Sequence, residues 1–448
     1  MRKFDKVKDQ FAVPLKVMKG ASLYSIGDVL IKASGFFLIP IYTRILTPTD
    51  YGIIGYLQVF SHILVVILGF GFHGAQTRYY FEHKDNLPLV GKFMFSINVT
   101  TIIAFIVVCI PLIFIGYFGN WDIGNSGIPF HPFMTITLVS VLITVLNNYV
   151  VSSFQMKQKF LSVMLLNTLS FLLSTCFTIV LVVFFKKGAF GRVSGNFYGI
   201  LIILLLSYFL YAKKFTYKYS LSALKYALAF GFPVVIHLLM GSIHSYIDRI
   251  MLESYLPLSD LGIYSLGVSI ASVLQMFITA FNQAFQPNYY ELMEKKDRST
   301  DKPITQIFTI WLSLITFATC MGIIIGRPFL KVFAGSQFGT TSEVFPYLLY
   351  ATYIGSFYYF FSSPIFYFKK TGLLPFITGS SAIINISLNL LLIPNHGIIG
   401  ASIATIISHL WISVVSFTVG HRLYKMKWPY LYIFMSVFVV SIVFVMYI

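Results

Sequence analysis

Thirteen apolar stretches of about twenty residues, separated by short and mostly basic loops, fill the chain from Ala21 to Ile448. A helix needs about 20 apolar residues to cross a hydrocarbon core about 30 Å thick. Segments of that length recur until the chain ends. The pattern predicts an all-α polytopic membrane protein and makes movement of something across the bilayer its expected task. The predicted spans are 21–45, 50–77, 92–118, 131–155, 160–185, 190–212, 222–252, 260–286, 303–326, 343–368, 371–393, 398–420 and 429–448.

Hydrophobic residues make up 57% of the chain and charged residues 10%, and the formal charge is +17. That charge is topological. With the N-terminus placed in the cytoplasm, 24 of the 32 Lys and Arg fall on the inner side, seven on the outer side, and Lys32 inside a helix. Such a bias sets the N-terminus inside. No basic patch interleaved with aromatics suggests nucleic acid as a partner. Cys109, Cys176 and Cys320 lie apart in apolar spans without ligand spacing and read as core residues. No metal or cofactor is expected. Residues 1–20 lack a small-residue cleavage site and read as a basic cytoplasmic leader on the anionic inner leaflet.

The chain repeats itself. An offset of 210 residues superposes Asp50 on Asp260, Gly52 on Gly262, and Tyr79-Tyr80 on Tyr289-Tyr290. Asp50 and Asp260 stand where an N-cap acceptor would satisfy the first N–H groups of the following helices. The turn recurs as Asn395-His396-Gly397. Internal symmetry of this kind builds many transporters, with the substrate path between the halves. The expected organisation is two pseudo-symmetric six-helix lobes around a central cleft, 21–212 and 222–427. A cytoplasmic linker, 213–221, joins them, and an extra transmembrane helix follows at 428–448.

Polar stripes at helical spacing mark the spans that could line a path. The seventh span carries His237, Gly241, His244 and Asp248 on one face, with Arg249 beside it. The eighth carries Ser265, Ser269, Ser272, Gln275, Thr279, Gln283 and Gln286. In the first half, Ser25, Asp28 and Lys32 mark the first span, and Gln58, His62, His73 and Gln76 the second. Weaker stripes run through Asn167 and Ser170, and through Ser381, Asn385 and Asn389. These residues either glue helices together or line a wet cavity. Charges within a membrane point to function by default. Asp28 and Lys32, four apart, either neutralise each other or form an ion-coupling site. Asp248 and Arg249 are adjacent on a helix and cannot simply face one another. Arg78 at the inner mouth is an anchor or a substrate contact. His244 either titrates or packs, and Tyr353 either packs or offers a stacking face to sugar rings. Pro40 and Pro233 should kink their spans.

The opening SLYSIGDVLIKASGFFLIPIYTRILTPTDYGIIGYLQVF resembles the first two helices of bacterial polysaccharide flippases, the Wzx-like O-antigen, capsule and exopolysaccharide translocases. The run YALAFGFPVVIHLLMGSIHSYIDRIMLESYLPLSDLGIYSLG resembles their second-lobe opening, with Asp248-Arg249 as its Asp-Arg pair. The wider superfamily includes multidrug exporters and the peptidoglycan-precursor flippase. The resemblance implies a two-lobed transporter in the bacterial inner membrane. Its cargo would be an undecaprenyl-pyrophosphate-linked oligosaccharide, moved from the cytoplasmic to the outer leaflet. It also implies membrane lipid and the polysaccharide polymerase machinery as partners. Members commonly have twelve or fourteen helices, against thirteen counted here. A pyrophosphate calls for Arg or Lys, and Lys32, Arg78 and Arg249 are available, with Gln58, His244, Gln275 and Tyr353 for the sugar. Nothing resembles an ATP-binding loop, so an ion gradient entering at Asp28 and Asp248 is the expected driving force.

Two classes compete. A multidrug or small-metabolite exporter of the same superfamily calls for acidic groups to receive cationic substrates, whereas the candidate residues include at least as many bases. A membrane polymerase or glycosyltransferase would place carboxylates in sizeable outer loops. The longest such loop, Gly119 to Pro132, holds one acid, Asp122. The chain is therefore expected not to be an enzyme.

Overall fold

The computed structural model describes residues 34–294 and 301–448. The chain is almost wholly helical. The first described helix, α1, covers 34–45. It is followed by α2 Pro48–Gly69, α3 Phe72–Glu82, α4 Leu87–Phe118, α5 Thr135–Gln155, α6 Phe160–Ile179 and α7 Gly188–Ala212. The second half holds α8 Leu221–Tyr255, α9 Leu258–Glu294, α10 Asp301–Phe333, α11 Thr341–Phe361, α12 Ser363–Tyr367, α13 Leu374–Leu423 and α14 Tyr430–Tyr447. The strands β1 (Asp122–Ile123) and β2 (Ile128–Pro129) pair antiparallel within the expected outer loop.

Each expected span is helical over most of its described length, with breaks at Phe70-Gly71 and at Ser362. Among the described residues, ten helices are long and apolar enough to cross a membrane, with α2 and α3 taken together as one. Two further spans lie among the described helices. α13 is interrupted at Gly397 (φ 55°, ψ −136°), a conformation open to glycine. Beyond it the chain folds back: a Cβ on Gly400 would strike the Leu392 carbonyl, and Ser381 Oγ donates to the Ser408 carbonyl at 2.6 Å. α13 is thus a hairpin of two spans. The tyrosine-rich α11 is long enough to span but falls outside the ten. Side chains such as Leu431 and Val445 on α14, more than 70% exposed, suit a surface bathed in lipid.

The described chain falls into two compact units. Unit 1 contains Phe60–Ile123 and Gly127–Leu238; unit 2 contains Phe36–Val59, Gly124–Ser126 and Leu239–Ile448.

Unit 1 closes around a buried polar knot. Gln76 donates to the Tyr149 carbonyl at 3.0 Å and accepts from the Tyr211 hydroxyl at 2.8 Å. Asn98 donates to Tyr211 and accepts from Tyr208, and Thr101 pairs with the Tyr149 hydroxyl. Four helices, α3, α4, α5 and α7, are tied by side chains that find partners away from water. Gln76, expected among candidate path-lining residues, belongs to this knot. Gln76→Leu takes one donor from the Tyr149 carbonyl and leaves the buried Tyr211 hydroxyl proton without its acceptor. It should cost about 1–3 kcal/mol, read as a lower unfolding temperature in detergent.

At the lysine-rich end of unit 1, Lys214 leaves α7 with its Nζ 3.2 Å from Ser153 Oγ and 5.0 Å above the Phe154 ring. Burial, with Lys157 and Lys159 nearby, pulls its ammonium from 10.5 down to about 8. The unfolded chain then keeps this proton to higher pH than the folded one. Stability should therefore rise as pH climbs through about 8 toward the ordinary lysine value. Melting curves of purified protein across that window should show the rise, and Lys214→Met should flatten it.

In unit 2 the two copies of the repeat meet. A Cβ on Gly52 would strike the Leu258 carbonyl, and one on Gly262 would strike the Pro48 carbonyl. The repeated glycines thus let two helix starts touch through bare backbone. Capping differs from expectation. Helix α2 starts at Pro48, so Thr47 is the N-cap; its Oγ1 accepts from the Asp50 N–H at 3.1 Å. Asp50 reaches back to accept from the Thr47 N–H at 2.9 Å, a capping box. Asp260 lies in the first turn of α9, where a carboxylate favours the helix dipole. Glu253, 2% exposed near the end of α8, accepts from the Ser126 N–H at 2.8 Å and from the Tyr56 hydroxyl. It pins the hairpin turn 124–126.

Candidate functional site

A dense polar centre of unit 2 surrounds Asp248, about two and a half turns from the start of that unit's share of α8. Its side chain is 5% exposed. Oδ1 accepts from Asn389 Nδ2 at 2.7 Å, and Oδ2 accepts from the Tyr264 hydroxyl at 2.8 Å. The Thr405 hydroxyl stands 2.9 Å from Oδ2 and 2.9 Å from the Ala401 carbonyl, one hydrogen between two acceptors. Asn389 Nδ2 also approaches Asn385 Oδ1 at 3.0 Å, while Asn389 Oδ1 is buried without a partner.

Four helical segments supply these groups. α8 brings Asp248 and α9 brings Tyr264. The first limb of the α13 hairpin brings Asn385 and Asn389, one turn apart on one face, and the second limb brings Thr405. The reversal at Gly397 is what lets the two limbs face the same carboxylate. His244, one turn before Asp248, lies 5.2 Å from the His409 ring, whose Nδ1 donates to the Ala351 carbonyl at 2.7 Å. His244 Nδ1 is buried without a partner.

Arg249 is buried too, yet forms no ion pair with Asp248; among the described residues the one recorded pair is Arg78–Glu82. Its guanidinium lies over the Tyr246 ring at 5.2 Å, and Nε and Nη1 have no partner. An unpaired carboxylate and an unpaired guanidinium are therefore both held inside a membrane-length helix, each costly to desolvate. A lone carboxylate ringed by amide and hydroxyl groups balances one positive charge. That suits a proton or a monovalent cation better than a divalent metal.

Asp28 and Lys32 lie outside the described residues. Gln58 is exposed on α2 in unit 2. Gln275 donates to the Tyr359 hydroxyl at 2.7 Å. Among the described candidates Gln58, His244 and Gln275, none hydrogen-bonds another. Arg78 is exposed but engaged: its Nε donates to Glu82 at 2.8 Å, and Glu82 also accepts from the Tyr226 hydroxyl. Tyr353 is fully buried, its hydroxyl 3.3 Å from Thr316 Oγ1 and its ring packed on Phe357. Its ring face is therefore covered by neighbours and offers no stacking surface. Sequence reasoning passed over Tyr264, Thr405 and His409, residue types that apolar spans carry freely. The signal that could have found them is the i, i+4 pair Asn385-Asn389, which needs a polar partner somewhere in the membrane.

Comparisons with known proteins agree with this architecture. The chain is 28% identical over 405 residues to a protein encoded at the Lsg locus of Haemophilus influenzae, covering 86% of this chain and 96% of that one. The membrane protein MJ1068 of Methanocaldococcus jannaschii is 22% identical over 442 residues, 92% of this chain and 86% of its own. The structure of the lipid II flippase MurJ in an inward closed conformation superposes with a TM-score of 0.76 at 16% identity, covering 95% of this chain and 92% of that one. An inward-facing multidrug resistance MATE family transporter of the MOP superfamily gives 0.69 at 15% identity, covering 89% and 99%. At these identities the structural likeness is one of fold. Residues 17–293, more than half of the chain, match the model of a single family, and the chain accordingly belongs to the polysaccharide biosynthesis protein family, as its resemblance to the polysaccharide flippases implied.

Proposed function

We propose that the protein is a flippase that carries undecaprenyl-pyrophosphate-linked oligosaccharide from the cytoplasmic to the outer leaflet during surface polysaccharide synthesis, by alternating access coupled to an ion gradient. The observation that carries this reading is Asp248, a carboxylate buried in a membrane-length helix among neutral donors, in a member of a polysaccharide biosynthesis family. A sugar headgroup in hydrocarbon would leave hydroxyls unpaired at about 2–7 kcal/mol each. Its passage needs a hydrated path and an external source of work. Asp248, together with Asp28, supplies the place where a proton or monovalent cation enters the cycle. Arg249, with two buried nitrogens lacking partners, suits a phosphate oxygen. Lys32 and Arg78 are further candidates for the pyrophosphate, and Gln58, His244, Gln275 and Tyr353 for the glycan. Arg78 would first have to release Glu82, and Tyr353 would need to be uncovered. The bacterial inner membrane with a cytoplasmic N-terminus, and cooperation with a polysaccharide polymerase, complete the proposal.

Deleting the gene and analysing lipid-linked glycans by leaflet tests it. Flipping requires intact repeat units to accumulate on the cytoplasmic leaflet. Their accumulation on the outer leaflet would point instead to a polymerase. Unchanged glycans with altered sensitivity to small cations would point to an exporter.

A further inference from the structure

Unit 1 holds a second polar feature, away from Asp248 and unused by the mechanism above. A cavity of about 170 Å³ opens between α5, α6 and α7, lined on its polar side by Thr144, Asn147, Asn148, Asn167 and Ser170. Asn147 donates to the Ile200 carbonyl at 3.2 Å, and Thr144 to the Ser140 carbonyl. Asn148, Asn167 and Ser170 make no side-chain hydrogen bond with another described residue and so carry free donors and acceptors.

Their depth is informative. Asn148 stands seven residues before Gln155, where α5 ends, and Asn167 seven residues after Phe160, where α6 begins. Both amides therefore lie about 10 Å inside the same membrane face. At that face, around the same helix ends, sit Lys157, Lys159 and Lys214. None of the three has an acidic partner among the described residues. Lys214 is held in place by Ser153 and by the Phe154 ring, with two of its three N–H donors left over. Its depressed affinity for a proton agrees with a cationic cluster lacking an anion.

Cations at the surface and neutral donors about two turns deeper match the order of polar groups along a glycerophospholipid, phosphate first and ester carbonyls below. An isoprenoid pyrophosphate has no polar group beneath its phosphates for the amides to meet. Basic pockets between helices at the cytoplasmic face are established sites for anionic headgroups. We infer that the cleft between α5 and α6 binds one anionic glycerophospholipid, its phosphate on Lys157, Lys159 and Lys214 and its ester carbonyls on Asn148 and Asn167.

The test uses the full chain, delipidated in detergent, with phosphatidylglycerol, phosphatidylcholine and a polyprenyl phosphate titrated separately and bound lipid counted by native mass spectrometry. Phosphatidylglycerol should bind most tightly. Each Lys→Gln change at 157, 159 or 214 should weaken it about fivefold, and Lys→Arg should restore it. N148L with N167L should weaken phosphatidylglycerol while leaving polyprenyl phosphate unmoved. Saturating phosphatidylglycerol should also abolish the rise of stability with pH assigned to Lys214. Equal binding of phosphatidylcholine, or amide variants that bind like the parent chain, would overturn the assignment. So would polyprenyl phosphate that binds more tightly and is equally sensitive to the amides, which would make this a cargo site. None of these readouts depends on flipping.

Discussion

Asp248→Asn should leave the protein folded and uncouple it. In proteoliposomes, the stimulation of transport by an imposed proton or cation gradient should fall by about 100-fold, near the top of the usual range for a coupling free energy of about 1–3 kcal/mol. The amide keeps the shape of the side chain and an oxygen for Tyr264 and Thr405, which donate to the carboxylate in the parent chain. What disappears is the negative charge. Because a buried charge is costly to hold away from water, its removal should leave the unfolding temperature unchanged or raised. A variant that melts early would point to a packing role, and one that keeps its gradient response would remove Asp248 from the coupling path. Thr405→Val is the milder companion. It takes away one donor and should weaken the gradient response by a smaller factor at unchanged fold.

Gly262→Val should have the opposite signature, a loss of folded protein with no specific transport defect in what survives. The new side chain would drive into the Pro48 carbonyl, and Gly52→Val would do the same to the Leu258 carbonyl. Neither obstacle is a flexible side chain able to swing aside. Overpacking of this kind costs about 1–3 kcal/mol and sometimes more, and backbone against backbone belongs at the upper end. The two substitutions strike one contact from its two sides, so the double variant should be less destabilised than the sum of the singles. Thermal melts of the three variants measure this directly.

These two sites differ in how far the sequence revealed them. The glycines were visible because the repeat placed them at equal offsets, though the repeat could not say that its two copies touch. Span positions are legible because hydrocarbon thickness imposes a minimum apolar length of about 20 residues on every crossing helix. Asp248 stands out in the sequence because a carboxylate in such a span is rare. Its surroundings were not legible: Asn389 and Thr405 are 141 and 157 residues away, and no local periodicity encodes which distant helix a side chain meets. Glu253 is inconspicuous in the sequence because an acid near a helix end looks like any interfacial carboxylate, whereas it is buried and holds a turn more than a hundred residues upstream. Asp50 stands at the helix entrance, as its place in the repeat suggests, but three residues beyond the cap Thr47, since Pro48 begins the helix.

The reversal at Gly397 has a topological consequence. Helical structure runs through both limbs as a single 53-residue stretch, Thr371–Leu423, where hydropathy alone places two spans, 371–393 and 398–420. Counted as one crossing, that stretch would deliver the carboxyl end to one compartment; folded as a hairpin, it delivers the end to the other. One left-handed backbone position therefore settles the parity of the whole chain downstream of it, and with it the side from which α14 enters the bilayer.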